Sequence, residues 1–182
     1  MRLTILLCLS AIDKFSSALV TTRIRLYGTD CEQFRNVQQA ISDTKTNIHV
    51  YAGIYIDGTS VTCCMSERFG LTSKLGNDTT YTRQRDEAFA VLDKYGVDNI
   101  LGVTVGNEYL LQASQGGSLS TAQTYLIEKI NEVRTMIKAK GYSKTIPVGS
   151  ADAGSMITAD LAAAADYVSS VCNTWPQCTN TP

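Results

Sequence analysis

Asn107 and Glu108 stand side by side at the abrupt end of an apolar run, Ile100 to Val105, within the stretch GVTVGNEYLL. A carboxyl carried at the end of a buried strand sits at a cleft rim, partly shielded from water. Partial burial raises a carboxyl pKa and lets the group donate a proton near neutral pH. Glu108 is therefore a candidate general acid, and Asn107 a candidate hydrogen-bonding partner for a sugar hydroxyl. Tyr27, Tyr51 and Tyr55 could stack on or line a sugar face. Asp30 and Asp152 lie on loops that follow predicted strands and are candidates for substrate contact. Set against these roles are plainer ones. Carboxylates cap helices or join salt bridges, and tyrosines pack.

Other chemistries are poorly supplied. His49 is the only histidine, so a Ser-His-Asp triad or a multi-histidine metal site would depend on it alone. There is no CxxC pair for zinc, no GxGxxG after the first strand and no GxxxxGK[ST]. No cofactor or metal is expected. With 16 basic against 17 acidic residues, the formal charge is −1, and no basic stripe points to nucleic acid.

The elements that must position these groups alternate. Thr22 to Tyr27 and Asn47 to Ile56 read as strands, followed by Ile100 to Val105, Thr145 to Val148 and Tyr167 to Val171. Between them lie helical patterns: one through Phe34, Val37 and Ile41, then Thr82 to Tyr95, then a longer one capped by Ser120 or Thr121 and ended by Gly141. A short helix follows over Thr158 to Ala165, and Thr29 or Asp30 would cap the first. Strands alternating with helices predict a parallel sheet, either doubly wound or closed as a (β/α)8 barrel. The missing nucleotide-binding glycines disfavour the first. A barrel is favoured because Tyr27, Tyr55, Asn107, Glu108 and Asp152 all fall at C-terminal strand ends, where barrel enzymes place their chemistry.

Three segments carry a specific resemblance: IRLYGTDC (Ile24 to Cys31), TRQRDEAFAVLDKYGVDNILGVTVGNEYLL (Thr82 to Leu111) and IPVGSADAG (Ile146 to Gly154). In this order they resemble successive motifs of fungal glycoside hydrolase family 17, and the likeness covers most of Thr22 to Val171. The resemblance implies a (β/α)8 barrel acting on β-1,3-glucan, secreted or held at the cell wall. It implies Glu108 as the general acid/base, Asn107 as its partner at the sugar, and Tyr27 beside the scissile unit.

The family also needs a nucleophilic glutamate in a motif like ETGWP. None is present: no Glu occurs after Glu132, and Trp175 sits in NTWPQC. A full barrel takes about 250 residues and eight strands, whereas five are read here. The expectation is an incomplete TIM barrel over residues 19–182, a shortened or mis-spliced product of weak or no activity. Residues 58–80, with adjacent Cys63 and Cys64, read as an insertion. Residues 1–18, with Arg2 before an apolar run from Leu3 to Ile12, read as a signal peptide too short to span a bilayer. In an exported chain Asn77 would be a glycosylation acceptor, and Cys172 and Cys178 could pair or stay thiols. The alternatives are a non-catalytic carbohydrate-binding wall protein and an unrelated open α/β binding module.

Overall fold

Along Ile48, Val50, Ala52, Ile54 and Ile56 every second side chain is apolar and buried, whereas Tyr51 and Gly53 point the other way. This alternation makes one face of the strand a helix-packing surface and leaves the other to line an interior. The computed structural model describes residues 22–57, 78–115 and 118–171. The elements are β1 (Arg23–Arg25), α1 (Gln33–Thr44), β2 (His49–Ile54), α2 (Asp78–Tyr95), β3 (Ile100–Asn107), α3 (Tyr109–Ala113), α4 (Leu119–Lys140), β4 (Val148–Ala153), α5 (Ala159–Ala164) and β5 (Val168–Val171).

The five strands are all parallel, in the spatial order β1-β2-β3-β4-β5. A doubly wound sheet reverses its strand order at a switch point. This sheet does not, so it is an arc of a (β/α)8 barrel, incomplete among the described residues. On its outer face α4 lays down Ala122, Leu126, Ile130, Val133 and Ile137, all buried at helical spacing. Phe34 and Ile41 from α1 and Phe89, Val91 and Leu92 from α2 extend the same core. Burying each large side chain of this kind contributes about 1.5–3 kcal/mol. No described helix is long and apolar enough to cross a membrane.

On the inner face the Tyr167 ring meets Tyr51 edge-on at 5.5 Å, and its hydroxyl lies 2.8 Å from Thr104 Oγ1. Burial pushes the Tyr167 phenol pKa up. A Cβ on Gly102 would stand 2.9 Å from the same ring, so Gly102 and Thr104 mark the interior side of β3.

Several boundaries differ from expectation. Residues 78–80 open α2, which the sequence pattern begins at Thr82, and residues 58–77 of the expected insertion lie outside the described residues. Strand β4 begins at Val148, where the sequence pattern ends it, so Asp152 is inside a strand and not on a loop. Ser118, not Ser120 or Thr121, caps α4, accepting from the Thr121 amide. Neither Thr29 nor Asp30 caps α1. A 3-10 turn, Asp30–Glu32, intervenes, with Cys31 and Glu32 both at positive φ. Thr158, expected inside the short helix, caps α5 instead, accepting from the Leu161 amide.

Candidate active site

The apolar strand β3 delivers a polar pair because it contains an extra residue. Thr104 is in register with Gly149, but Asn107 with Ala151, so three steps on β3 match two on β4. This is a β-bulge, and it falls at Gly106, where φ is +76°. A residue with a side chain would be strained in that conformation. The bulge also flips the alternation. Gly106 has the same parity as Gly102 and Thr104, yet a Cβ on it would face Leu126 of α4, 3.2 Å away. Asn107 follows the bulge with the parity of the outward-packed Val103 and Val105. Its Oδ1 is buried and accepts no hydrogen bond among the described residues. An acceptor left this way costs free energy until a donor arrives.

Glu108 follows at φ +52°, ψ +30°, an uncommon left-handed conformation for a glutamate, and is half-buried. Its backbone is tied on both sides. The amide donates to Ala151 O at 2.9 Å, and the carbonyl accepts from the Gln112 amide at 3.0 Å. The short helix α3 that begins at Tyr109 buries Tyr109, Leu110 and Ala113. Gln112 returns its side-chain amide toward Asn107 O at 3.4 Å and lies 3.4 Å from the Tyr55 hydroxyl. Tyr55, at the end of β2, is thereby linked to the loop that carries the pair.

Asp152 is completely enclosed. One carboxylate oxygen accepts from the Leu110 amide at 2.8 Å, and the other from Leu111 at 3.2 Å and Ala153 at 2.9 Å. The expected substrate contact is therefore corrected: Asp152 has no exposed surface, and its oxygens are turned to the first amides of α3. Burial raises its carboxyl pKa above 3.8, those amides oppose the rise, and the negative Glu108 adds to it.

At the β1 end, Tyr27 is 55% exposed, and the Arg25 guanidinium lies over its ring at 4.6 Å. Arg25 Nη1 is buried and meets no acceptor among the described residues. Asp30 is held by Arg83 at 2.7 Å and by the Gln84 side-chain amide at 2.6 Å. Gln84 is wholly buried, and its oxygen accepts from the Thr29 amide and hydroxyl at 2.5 and 3.0 Å. Asp30 thus anchors the loop after β1 to α2, the plainer of its two expected roles. Gln84, Gln112 and Arg25 escape sequence reading because a lone polar residue in a helix or strand pattern gives no periodic signal.

The structure brings Asn107, Glu108, Gln112 and Tyr55 together, and Tyr27 with Arg25 at the end of the edge strand. Asn107 offers a polar acceptor without a partner among the described residues, Glu108 a half-buried carboxyl on a pinned backbone, and Tyr27 an exposed aromatic ring.

A family model described as the BtgE/BtgC glycoside hydrolase domain matches residues 9–177. The btgC protein of Aspergillus niger is 35% identical over 153 residues, which are 83% of this chain and 19% of that protein. The glucan endo-1,3-beta-glucosidase btgC of Emericella nidulans is 29% identical over 153 residues, covering 83% of this chain and 20% of its own length. The chain thus spans about a fifth of the curated relatives it matches. Among solved structures, an endo-laminarinase from Formosa aligns with a TM-score of 0.68 at 18% identity, over 89% of this chain and 43% of that one. A glycoside hydrolase family 17 beta-1,3-glucanosyltransferase from Rhizomucor miehei aligns at 0.60 and 19%, over 86% and 47%. These two likenesses establish the fold.

Proposed function

The chain belongs to the BtgE/BtgC glycoside hydrolase family, and on that premise we propose that it is the acid/base-bearing part of a retaining enzyme acting on β-1,3-glucan. The observation that carries the reading is the Gly106 bulge, which immediately precedes Asn107 and Glu108 at the C-terminal end of a barrel strand. The names of the relatives supply the substrate class. Glu108 protonates the glycosidic oxygen as the leaving sugar departs, then takes a proton from the incoming water. Asn107 Oδ1 accepts from a hydroxyl of the bound unit. Tyr27 and Tyr55 line the sugar face, and Asp30 holds the loop that carries Tyr27.

A retaining mechanism needs a second carboxylate about 5–5.5 Å from the first. The sequence holds no glutamate after Glu132, and Asp152, beside Glu108, is committed to backbone amides. That observation favours a second reading of the 182-residue chain taken alone: it binds glucan without cutting it, as a non-catalytic carbohydrate-binding protein would. We place it outside the cell or at the wall, with residues 1–18 as a leader. The family match begins at residue 9, inside that leader. N-terminal sequencing of the exported protein would locate the cleavage, and an intact Met1 would overturn the leader.

The test is laminarin. The purified chain should bind it in affinity electrophoresis and release no reducing sugar. Turnover lost in Glu108→Gln would overturn the silent reading and uphold the acid. Failure to bind laminarin at all would defeat both.

A further inference from the structure

The placement of Glu108 depends on a residue that touches no ligand. Left-handed backbone in a non-glycine residue costs of order 1–3 kcal/mol and persists only where the surroundings over-determine it. Around Glu108 the fixings are few. Its own amide reaches Ala151 O on β4, and the two residues after Tyr109 donate their amides to Asp152, the next position on β4. Apart from the Gln112 amide within α3, the tethers therefore run to one dipeptide, Ala151-Asp152. The first turn of α3 cannot hold itself, because the leading amides of a helix have no intrahelical acceptor. Glu108, at the position that normally caps such a helix, supplies no side-chain cap. Its carboxyl is thereby not committed to the helix end, and Asp152 supplies the missing cap from the neighbouring strand. The third hydrogen bond of Asp152, from its own Ala153 amide, fixes the carboxylate plane.

We infer that Asp152 is the positioning residue for Glu108, capping α3 from strand β4 so that the Glu108 side chain is excused from capping and held toward the cleft. The inference rests on the reading of Glu108 as the acid, and it predicts what Glu108 does when the cap is removed. Without Asp152 the cheapest remaining acceptor for the Leu110 and Leu111 amides is the Glu108 carboxyl itself. A carboxylate favours that position. The acid would turn from the cleft onto its own helix, and its backbone would leave the left-handed region that a helix cap does not use.

The experiment compares the full chain with Asp152→Ala and Asp152→Asn by NMR, with laminaritriose as the probe ligand. Expected in Asp152→Ala are Val103 and Val105 amides that exchange within about twofold of wild type and Leu110 and Leu111 amides that exchange at least tenfold faster. The Glu108 Cα and Cβ shifts should leave left-handed values, and laminaritriose affinity should fall at least fivefold. Asp152→Asn, which keeps one capping oxygen, should fall between the two and serves if Asp152→Ala does not fold. Faster Leu110 and Leu111 exchange with unchanged Glu108 shifts would make Asp152 a stability cap only and overturn the inference. If the wild type binds no laminaritriose while the Glu108 shifts still move in the variant, the positioning stands and the glucan reading falls.

Discussion

Asp152 titrates in the opposite sense to an exposed capping carboxylate. Its folded-state pKa is raised above 3.8, chiefly by burial, and three backbone amides only partly restore it. The folded chain therefore binds the Asp152 proton more tightly than the unfolded chain does. In that window the unfolded state carries fewer protons at this group, so its contribution to stability falls as pH rises. The contribution is complete below pH 3.8 and is lost as pH climbs through the folded value. Asparagine does not titrate. The stability difference between wild type and Asp152→Asn should therefore shift against wild type as pH rises from about 3.8, the unfolded value. Urea denaturation of both chains across that range checks it. A difference that is flat with pH, or grows in favour of wild type, would mean that the amides outweigh the burial.

At the scale of elements, the loop after β1 is positioned by one close approach. A Cβ on Gly53 of β2 would lie 2.3 Å from Leu26 O, 2.6 Å from Tyr27 C and 2.7 Å from Gly28 N. All three are backbone atoms, so no side chain can swing aside. Gly53→Ala should push the β1 end outward and cost about 1–3 kcal/mol, the usual range for overpacking. It should also weaken laminarin binding, because Tyr27 rides on the displaced segment. The denaturation midpoint in urea and affinity electrophoresis measure the two effects, and a midpoint equal to that of wild type would refute the close approach.

Much of this level was legible in the sequence and some was not, for physical reasons. The strands of β2 and β3 follow from apolar and β-branched runs, and α4 from a stripe of period 3.6. The Asn107-Glu108 pair was legible because apolar residues end there without warning. The bulge was not, since Gly106 within GVTVGNE reads equally well as a strand end. Helix α3 is only five residues long, too short for any periodicity to register, and so the cap role of Asp152 stayed hidden behind a strand misplaced toward Thr145. Gln84 reads as one polar residue among several in TRQRDE, although it is wholly buried.

For the whole molecule the decisive feature is the open sheet. Within the described residues β1 pairs only with β2, and β5 only with β4, so each outermost strand has a row of backbone groups unmatched by another strand. Such edges template association with other chains, and closure of a barrel is what removes them. The 182-residue chain produced alone should therefore self-associate. Its mass by light scattering should rise above 19.8 kDa as concentration is raised a hundredfold. A chain extended to close the barrel, with a glutamate on one of the added strands, should stay monomeric. It should also release reducing sugar from laminarin, and lose that activity both in Glu108→Gln and when the added glutamate is replaced by glutamine. A monomer at every concentration for the short chain would refute the open-edge argument. A closed, monomeric extended chain without turnover would show instead that Glu108 is not placed as an acid, because closure would have supplied everything else the reaction needs.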